Sequence, residues 1–310
     1  MRRCFTLCGA FTLVAVVGAQ PPIFKSGVDA VRVDVSVTRG GRPVSGLAAR
    51  DFDLHDTGVP QQIEALSLES VPLNLVFTFD TSFSVRGALL QHLKEAAHAA
   101  VVSLRPTDRV SFLTFSHVLH RSLHFGGNTA AIDTAIDSLE ADGTTALNDA
   151  AFAAMELRPE REGRSLVLLF TDGFDTASWL TPLAVIQQAR RSDVVVDAAV
   201  LEPPSASGPP TRFPARPALP AERRRWFLED PQLFRQEFLP ALVDETGGEI
   251  IVVGRSRDLR TTFVNMLSAF RARYTLTFSP KNVAPSGWHP IEVRVPNLKA
   301  DVRARRGYTR

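Results

Sequence analysis

Two runs constrain this chain more than any other feature. "LNLVFTFD" (73–80) and "SLVLLFTD" (165–172) are each almost wholly apolar, and each ends on an aspartate. A strand with no polar face must be covered on both sides, the situation of a parallel sheet packed between helices. The segments around them alternate accordingly. After the first run, Leu89, Leu90, Leu93, Ala97 and Val101 form one helical stripe. "RVSFLTFS" reads as a strand and "VLHRSLHF" as an edge strand. "NTAAIDTAIDSL" and "TALNDAAFAAMEL" read as helices, and "TPLAVIQQARR" as a helix opened by Pro182. "VVVDAAVL" is a strand, residues 232–245 a helix, "EIIVVG" a strand, and Asp258 to Arg273 a last helix. The expected fold class is therefore α/β, a doubly wound, mainly parallel sheet flanked by helices, over residues 72–273. Ligands of such sheets bind at the carboxyl ends of the strands, near a topological switch point. Residues 202–222, "EPPSASGPPTRFPARPALPAE", are proline-rich and aperiodic, an expected insertion loop.

The flanks follow a different grammar. "VRVDVSVT" (31–38) alternates apolar and polar residues, as a half-buried strand does. "RGGRP" is a turn, and "DFDLHDTGVPQQIEALSLE" reads as two short strands around Gly58 and Pro60. At the other end "YTLTFSP", "HPIEVRVP" and "DVRARRGY" alternate as three strands. Neither flank has enough apolar surface to stand alone. Residues 20–71 are thus expected to form a small antiparallel β unit, with the strands of 274–310 packing near it.

The first residues form a third category. Arg2 and Arg3 precede the short apolar run "CFTLCGAFTLVAVV", and small residues follow, as in a secretory signal peptide cut after Ala19. The run is short for a membrane anchor. An exported, periplasmic or extracellular protein is expected, with no membrane span in the mature chain. Both cysteines, Cys4 and Cys8, would leave with the signal, so the core must hold without disulfides. Loss of the two arginines takes Lys+Arg from 35 to 33 against 33 Asp+Glu, which argues against a nucleic-acid partner. Residues 255–310 hold 12 Lys+Arg against 3 Asp+Glu, read as a solvated face, with a docking surface for acidic partners as the alternative.

Parallel strands end on one edge, so Asp80 and Asp172 should share it. The loop "ADGTTALNDA" reaches the same edge with Thr144 and Thr145. Asp80, Ser82, Ser84, Thr145 and Asp172 then converge as oxygen donors without histidine or cysteine, a set suited to Mg2+ more than zinc. Any one of these residues alone would serve as a helix cap. Three such loops in succession are harder to explain by capping.

This pattern resembles the von Willebrand factor type A domain. Asp80-Thr81-Ser82-Phe83-Ser84 fits its D-x-S-x-S signature, Thr145 in "GTTAL" stands at its threonine, and Asp172 in "FTDG" at its second aspartate. The flanking β segments and "RARRGY" are similar to exported members of this group from acidobacteria. The resemblance implies a metal-ion-dependent adhesion site. Ser82, Ser84 and Thr145 would contact Mg2+ (Mn2+ or Ca2+ being alternatives), Asp80 and Asp172 would act mostly through water, and a partner protein's Asp or Glu would complete the shell. Phe83 departs from the small residue common there, and either contacts a partner or packs on the neighbouring loop. Thr144 replaces the second glycine of the frequent G-G-T form, which stiffens that loop.

Two other readings compete. A phosphoryl-transfer enzyme of the haloacid dehalogenase type would want a second aspartate where Ser82 stands, and no P-loop or G-x-S-x-G elbow occurs. The expectation is that the chain is not an enzyme. His117, His120 and His124 suggest zinc, but on a strand His117 would face away from the other two. A structural envelope component with a merely stabilising metal is the remaining alternative.

Overall fold

The computed structural model describes residues 30–68, 71–126, 129–157, 163–201, 231–254 and 259–310. The expected signal peptide (1–19) with Cys4 and Cys8, the start of the N-terminal unit, the insertion loop (202–222) and Asp258 lie outside the described residues.

The central sheet has six strands: β6 (Leu73–Asp80), β7 (Arg109–Phe115), β8 (Leu119–Gly126), β9 (Arg164–Thr171), β10 (Val195–Leu201) and β11 (Ile250–Val253). Their spatial order is β11-β10-β9-β6-β7-β8. All neighbours pair in parallel except β8, which turns back antiparallel on β7 at the edge. The chain builds outward from β6 in one direction and then restarts at β9 on its other side. The switch point therefore falls between β6 and β9.

All eight residues of β6 are buried because helices cover both faces. Leu73, Leu75, Phe77 and Phe79 face α1 (Ala88–Val102), α2 (Thr129–Asp137) and α6 (Leu259–Arg271). Phe263 of α6 stacks within 6.5 Å of Phe77 and 6.0 Å of Phe79, and Phe112 lies 4.9 Å from Phe77. Each such buried ring contributes about 1.5–3 kcal/mol. Val76, Leu113, Val167 and Leu169 face α3 (Leu147–Glu156), α4 (Pro182–Arg191) and α5 (Pro231–Thr246). The α/β segment is thus doubly wound.

The flanking strands form two further sheets. β1 (Val31–Arg39) pairs with β12 (Tyr274–Phe278), β14 (Asp301–Arg303) and β2 (Arg42–Pro43), and β12 also pairs with β5 (Ala65–Leu68). β13 (Trp288–Arg294) pairs with β15 (Gly307–Thr309) and β3 (Asp53–Asp56), which meets β4 (Val59–Gln61). Val33, Val35 and Val37 point inward onto Phe52, Leu54, Tyr274, Leu276 and Phe278. "DVRARRGY", expected as one strand, divides into β14 and β15 in different sheets. Arg305 and Arg306 between them turn to the α/β body instead of continuing the alternation.

That turn limits the reading of the C-terminal positive charge as a solvated face: Arg260, Lys281, Arg294, Lys299 and Arg310 are exposed, but several other arginines turn inward. Arg271 pairs with Asp108 at 2.5 Å and Arg273 with Asp197 at 3.0 Å, and Arg306 grips both oxygens of Asp244 at 2.8 Å. Arg164 and Asp34 lie 2.8 Å apart as an ion pair, off the line of the N–H bond. The acidic partners of these arginines belong to the chain itself: Arg306–Asp244 and Arg164–Asp34 bolt the β unit to the α/β body, while Arg271–Asp108 and Arg273–Asp197 brace the body internally. The seam is tight at Gly247, which has φ +75 and where a Cβ would lie 2.4 Å from Arg305 N; within the α/β body, a Cβ at Gly248 would lie 1.9 Å from Val196 O.

Candidate functional site

Asp80 ends β6, and Asp172 follows the end of β9, its parallel neighbour across the switch point. Asp80 is 0% exposed. Its Oδ1 accepts the Ser82 N–H at 2.9 Å, and its Oδ2 accepts the Thr171 hydroxyl at 2.8 Å. Among the described residues no lysine, arginine or histidine pairs with it. Burial pushes its carboxyl up to about 6 and the Asp172 charge pushes the same way, against the hydrogen bonds from Ser82 and Thr171.

The first loop then brings two hydroxyls together: Ser82 Oγ and Ser84 Oγ are 3.0 Å apart. Ser82 is buried and Ser84 exposed. Neither caps a helix. Ser82 stands at the N-cap of the 3-10 turn Phe83–Val85 without a side-chain cap, and the N-cap of α1 is Gly87. Thr145 does not cap α3 either, whose N-cap is Ala146. The capping explanation for these hydroxyls therefore fails.

Backbone bonds stitch the loops to one another. Asp142 N–H donates to Thr81 O at 2.7 Å, and Phe83 N–H to Gly143 O at 3.0 Å. Thr145 N–H donates to Thr176 Oγ1 at 3.0 Å, while Thr145 O accepts the N–H groups of Thr176 and Ala177. Asp172, half-buried, accepts the Phe174 N–H at 3.2 Å. Asp80, Ser82 and Ser84 are thus linked through their side chains. The main chain of Thr145 is tied to Thr176 and Ala177 of the third loop and not to these three residues, and Asp172 acts on Asp80 through its charge. Asp149 braces the third loop by accepting the N–H groups of Trp179 and Leu180.

Thr171, Thr176 and Asp149 were not singled out from the sequence. Thr171 had a signal in its place before Asp172, one strand from Asp80. Thr176 and Asp149 had none, because their partners are set by loop contacts.

The rim carries exposed aromatic rings: Phe83 at 51%, Phe174 at 65% and Trp179 at 95% exposure. Phe83 donates its N–H to the neighbouring loop, while its ring stays half exposed. The Arg86 guanidinium lies 3.9 Å over its ring and ties to Asp142 at 2.8 Å. Thr144 is exposed beside it. His117 sits in the turn between β7 and β8, not on a strand as expected, and its ring abuts Gly143. Among the described residues no three His, Cys, Asp or Glu side chains form a metal-holding group. The donor set fits a hard cation on other grounds. A buried carboxylate without a cationic side chain, a second carboxylate beside it and paired hydroxyls together present oxygen atoms and uncompensated negative charge.

Residues 75–174 match the family model of the von Willebrand factor type A domain, so this part of the chain is similar to domains of that kind. Inter-alpha-trypsin inhibitor heavy chain H4 of Bos taurus is 27% identical over 139 residues, 41% of this chain and 15% of that protein. The chain therefore spans a small part of that relative's length. A Synechocystis protein described as uncharacterized is 34% identical over 110 residues, 33% of this chain and 26% of its own. Among solved structures, a von Willebrand factor type A protein from Catenulispora acidiphila aligns with a TM-score of 0.48 at 12% identity, over 92% of this chain and 74% of that one.

Proposed function

We propose that this chain is an exported protein-binding module whose von Willebrand factor type A domain captures an acidic side chain of a partner protein through a divalent cation. Domains of this family are generally protein-interaction modules and not enzymes. In this reading Ser82, Ser84 and Thr145 hold Mg2+, or Mn2+ or Ca2+, directly, and Asp80 and Asp172 hold it through water. The cation supplies a Lewis-acidic position for a carboxylate oxygen. Neutral hydroxyls next to it leave its charge only partly offset, which favours an Asp or Glu from outside. Phe83 and Thr144 flank that position and contact the incoming chain. Export follows from the N-terminal segment with its basic start, short apolar run and small residues. Among the described residues no helix is long and apolar enough to cross a membrane.

The observation that carries the reading is Asp80: a fully buried carboxylate, oriented by two hydrogen bonds, with no cationic side chain paired to it among the described residues. The test is thermal unfolding of residues 20–310 in chelator, then with Mg2+, Mn2+ or Ca2+, using Asp80→Ala as control. The wild type should gain several degrees that the variant does not, since binding to the native state alone raises stability. A wild type indifferent to all three metals would falsify the metal reading. Partners drawn from the native envelope or culture medium should be lost in chelator. They should also be weakened by Phe83→Ala, a change at a half-exposed ring that leaves folding within about 0.5 kcal/mol. Equal recovery in chelator would defeat the adhesion mechanism.

A further inference from the structure

A second concave site lies at the opposite edge of the central sheet, where the C-terminus of α4 meets β1 and the last strand. It is a cavity of about 220 Å³ whose lining includes Arg32, Arg190, Arg191, Arg305, Asp193 and Tyr308. Four arginines thus contribute to the lining of one opening, with Asp193 as the carboxylate among the lining residues.

The four arginines are not equivalent. Arg190 is already engaged: its Nε donates to Glu245 Oε1 at 3.0 Å, and its guanidinium lies 4.8 Å over the Trp288 ring. Arg305 is fixed by carbonyls, with Nε donating to Gly307 O at 2.6 Å and Nη2 to Arg190 O at 3.3 Å. Those two bonds stop it from swinging into solvent. Arg32 and Arg191 are exposed at the mouth. Arg32, Arg191 and Arg305 form no ion pair with a carboxylate of the described residues. Burial pushes the Arg305 guanidinium down from its ordinary range, and the charges of Asp193, Glu245 and Asp34 offset only part of that shift.

Arginines gathered around a concavity attract an anion, and concave walls focus their field outward. Guanidinium groups offer planar, paired donors that match tetrahedral oxyanions. We propose that this pocket binds a phosphate or sulfate group. The volume accommodates the tetrahedral ion together with part of a molecule that carries it. Arg305 provides the immobile donor at the wall, Arg32 and Arg191 close from the mouth, and Asp193 limits the excess charge.

The site shares no residue with the three-loop cluster, so it is tested in chelator, where that cluster is silent. Isothermal titration calorimetry and thermal unfolding are run with inorganic phosphate, inorganic sulfate and phenyl phosphate, each against sodium chloride at equal ionic strength. Saturable heat and a rise in Tm are expected with at least one of the three. Binding of the free ions identifies an inorganic ligand, and preference for phenyl phosphate identifies an esterified group. The double variant Arg32→Gln/Arg191→Gln alters only exposed side chains and should keep its Tm in chloride. Its affinity should fall roughly tenfold or more, the weight of one charge-assisted contact. No saturable binding of any probe, or undiminished binding by the double variant, would overturn the proposal.

Discussion

In the metal-free protein, Asp80→Asn should raise stability at neutral pH. The Asp80 carboxyl moves from 3.8 to about 6 on folding. A rise of roughly two units costs the ionised native state about 3 kcal/mol. Asparagine keeps an acceptor for the Ser82 N–H, and its Nδ2 can donate to Thr171 Oγ1. The Thr171 hydroxyl then loses its acceptor, a loss of about 1 kcal/mol. The net gain is about 2 kcal/mol, or roughly 5 °C in Tm. The pH dependence has a definite sign. A carboxyl whose folded pKa is raised leaves the native state holding more protons than the unfolded chain between about 4 and 6. Wild-type stability should therefore fall as pH rises through that window, with the full penalty above it. Below it wild type and variant should converge toward the cost of the lost acceptor alone. Saturating Mg2+ should reverse the order at pH 7.5. Thermal unfolding followed by circular dichroism from pH 4 to 7.5, in chelator and in Mg2+, measures both effects. A variant less stable than wild type in chelator at pH 7.5, or a difference that does not vary with pH, would refute the reasoning.

Two further perturbations probe the packing of the α/β body. Arg273→Ala strands Asp197, whose side chain is 1% exposed, without its partner, and urea denaturation should show a loss of roughly 3–5 kcal/mol. Gly248→Ala sets a Cβ 1.9 Å from Val196 O, backbone against backbone, so the variant should express poorly or melt many degrees lower by calorimetry, and a wild-type Tm would contradict the packing described.

By itself, the sequence determined the local elements and their sheet edge. "LNLVFTFD" lacks a polar face and "VRVDVSVT" has one, so their burial patterns were readable before any packing was known. Two apolar strands ending on Asp80 and Asp172 implied neighbouring carboxylates, because parallel strands deliver their ends to one edge. Tertiary structure decided what long-range contacts alone can decide. The alternation of "DVRARRGY" suits a strand equally well whether Arg306 faces water or Asp244, and only the position of α5 settles which. The hydroxyls of Ser82, Ser84 and Thr145 were compatible with capping until Gly87 and Ala146 took those positions. Thr171 became the second anchor of Asp80 through the β6–β9 register, and the arginine pocket exists because α4, β1 and β15, distant in sequence, end side by side. Local pattern fixes which face of an element is buried. What that face meets depends on residues hundreds of positions away, and the chemistry of both sites lies in those meetings.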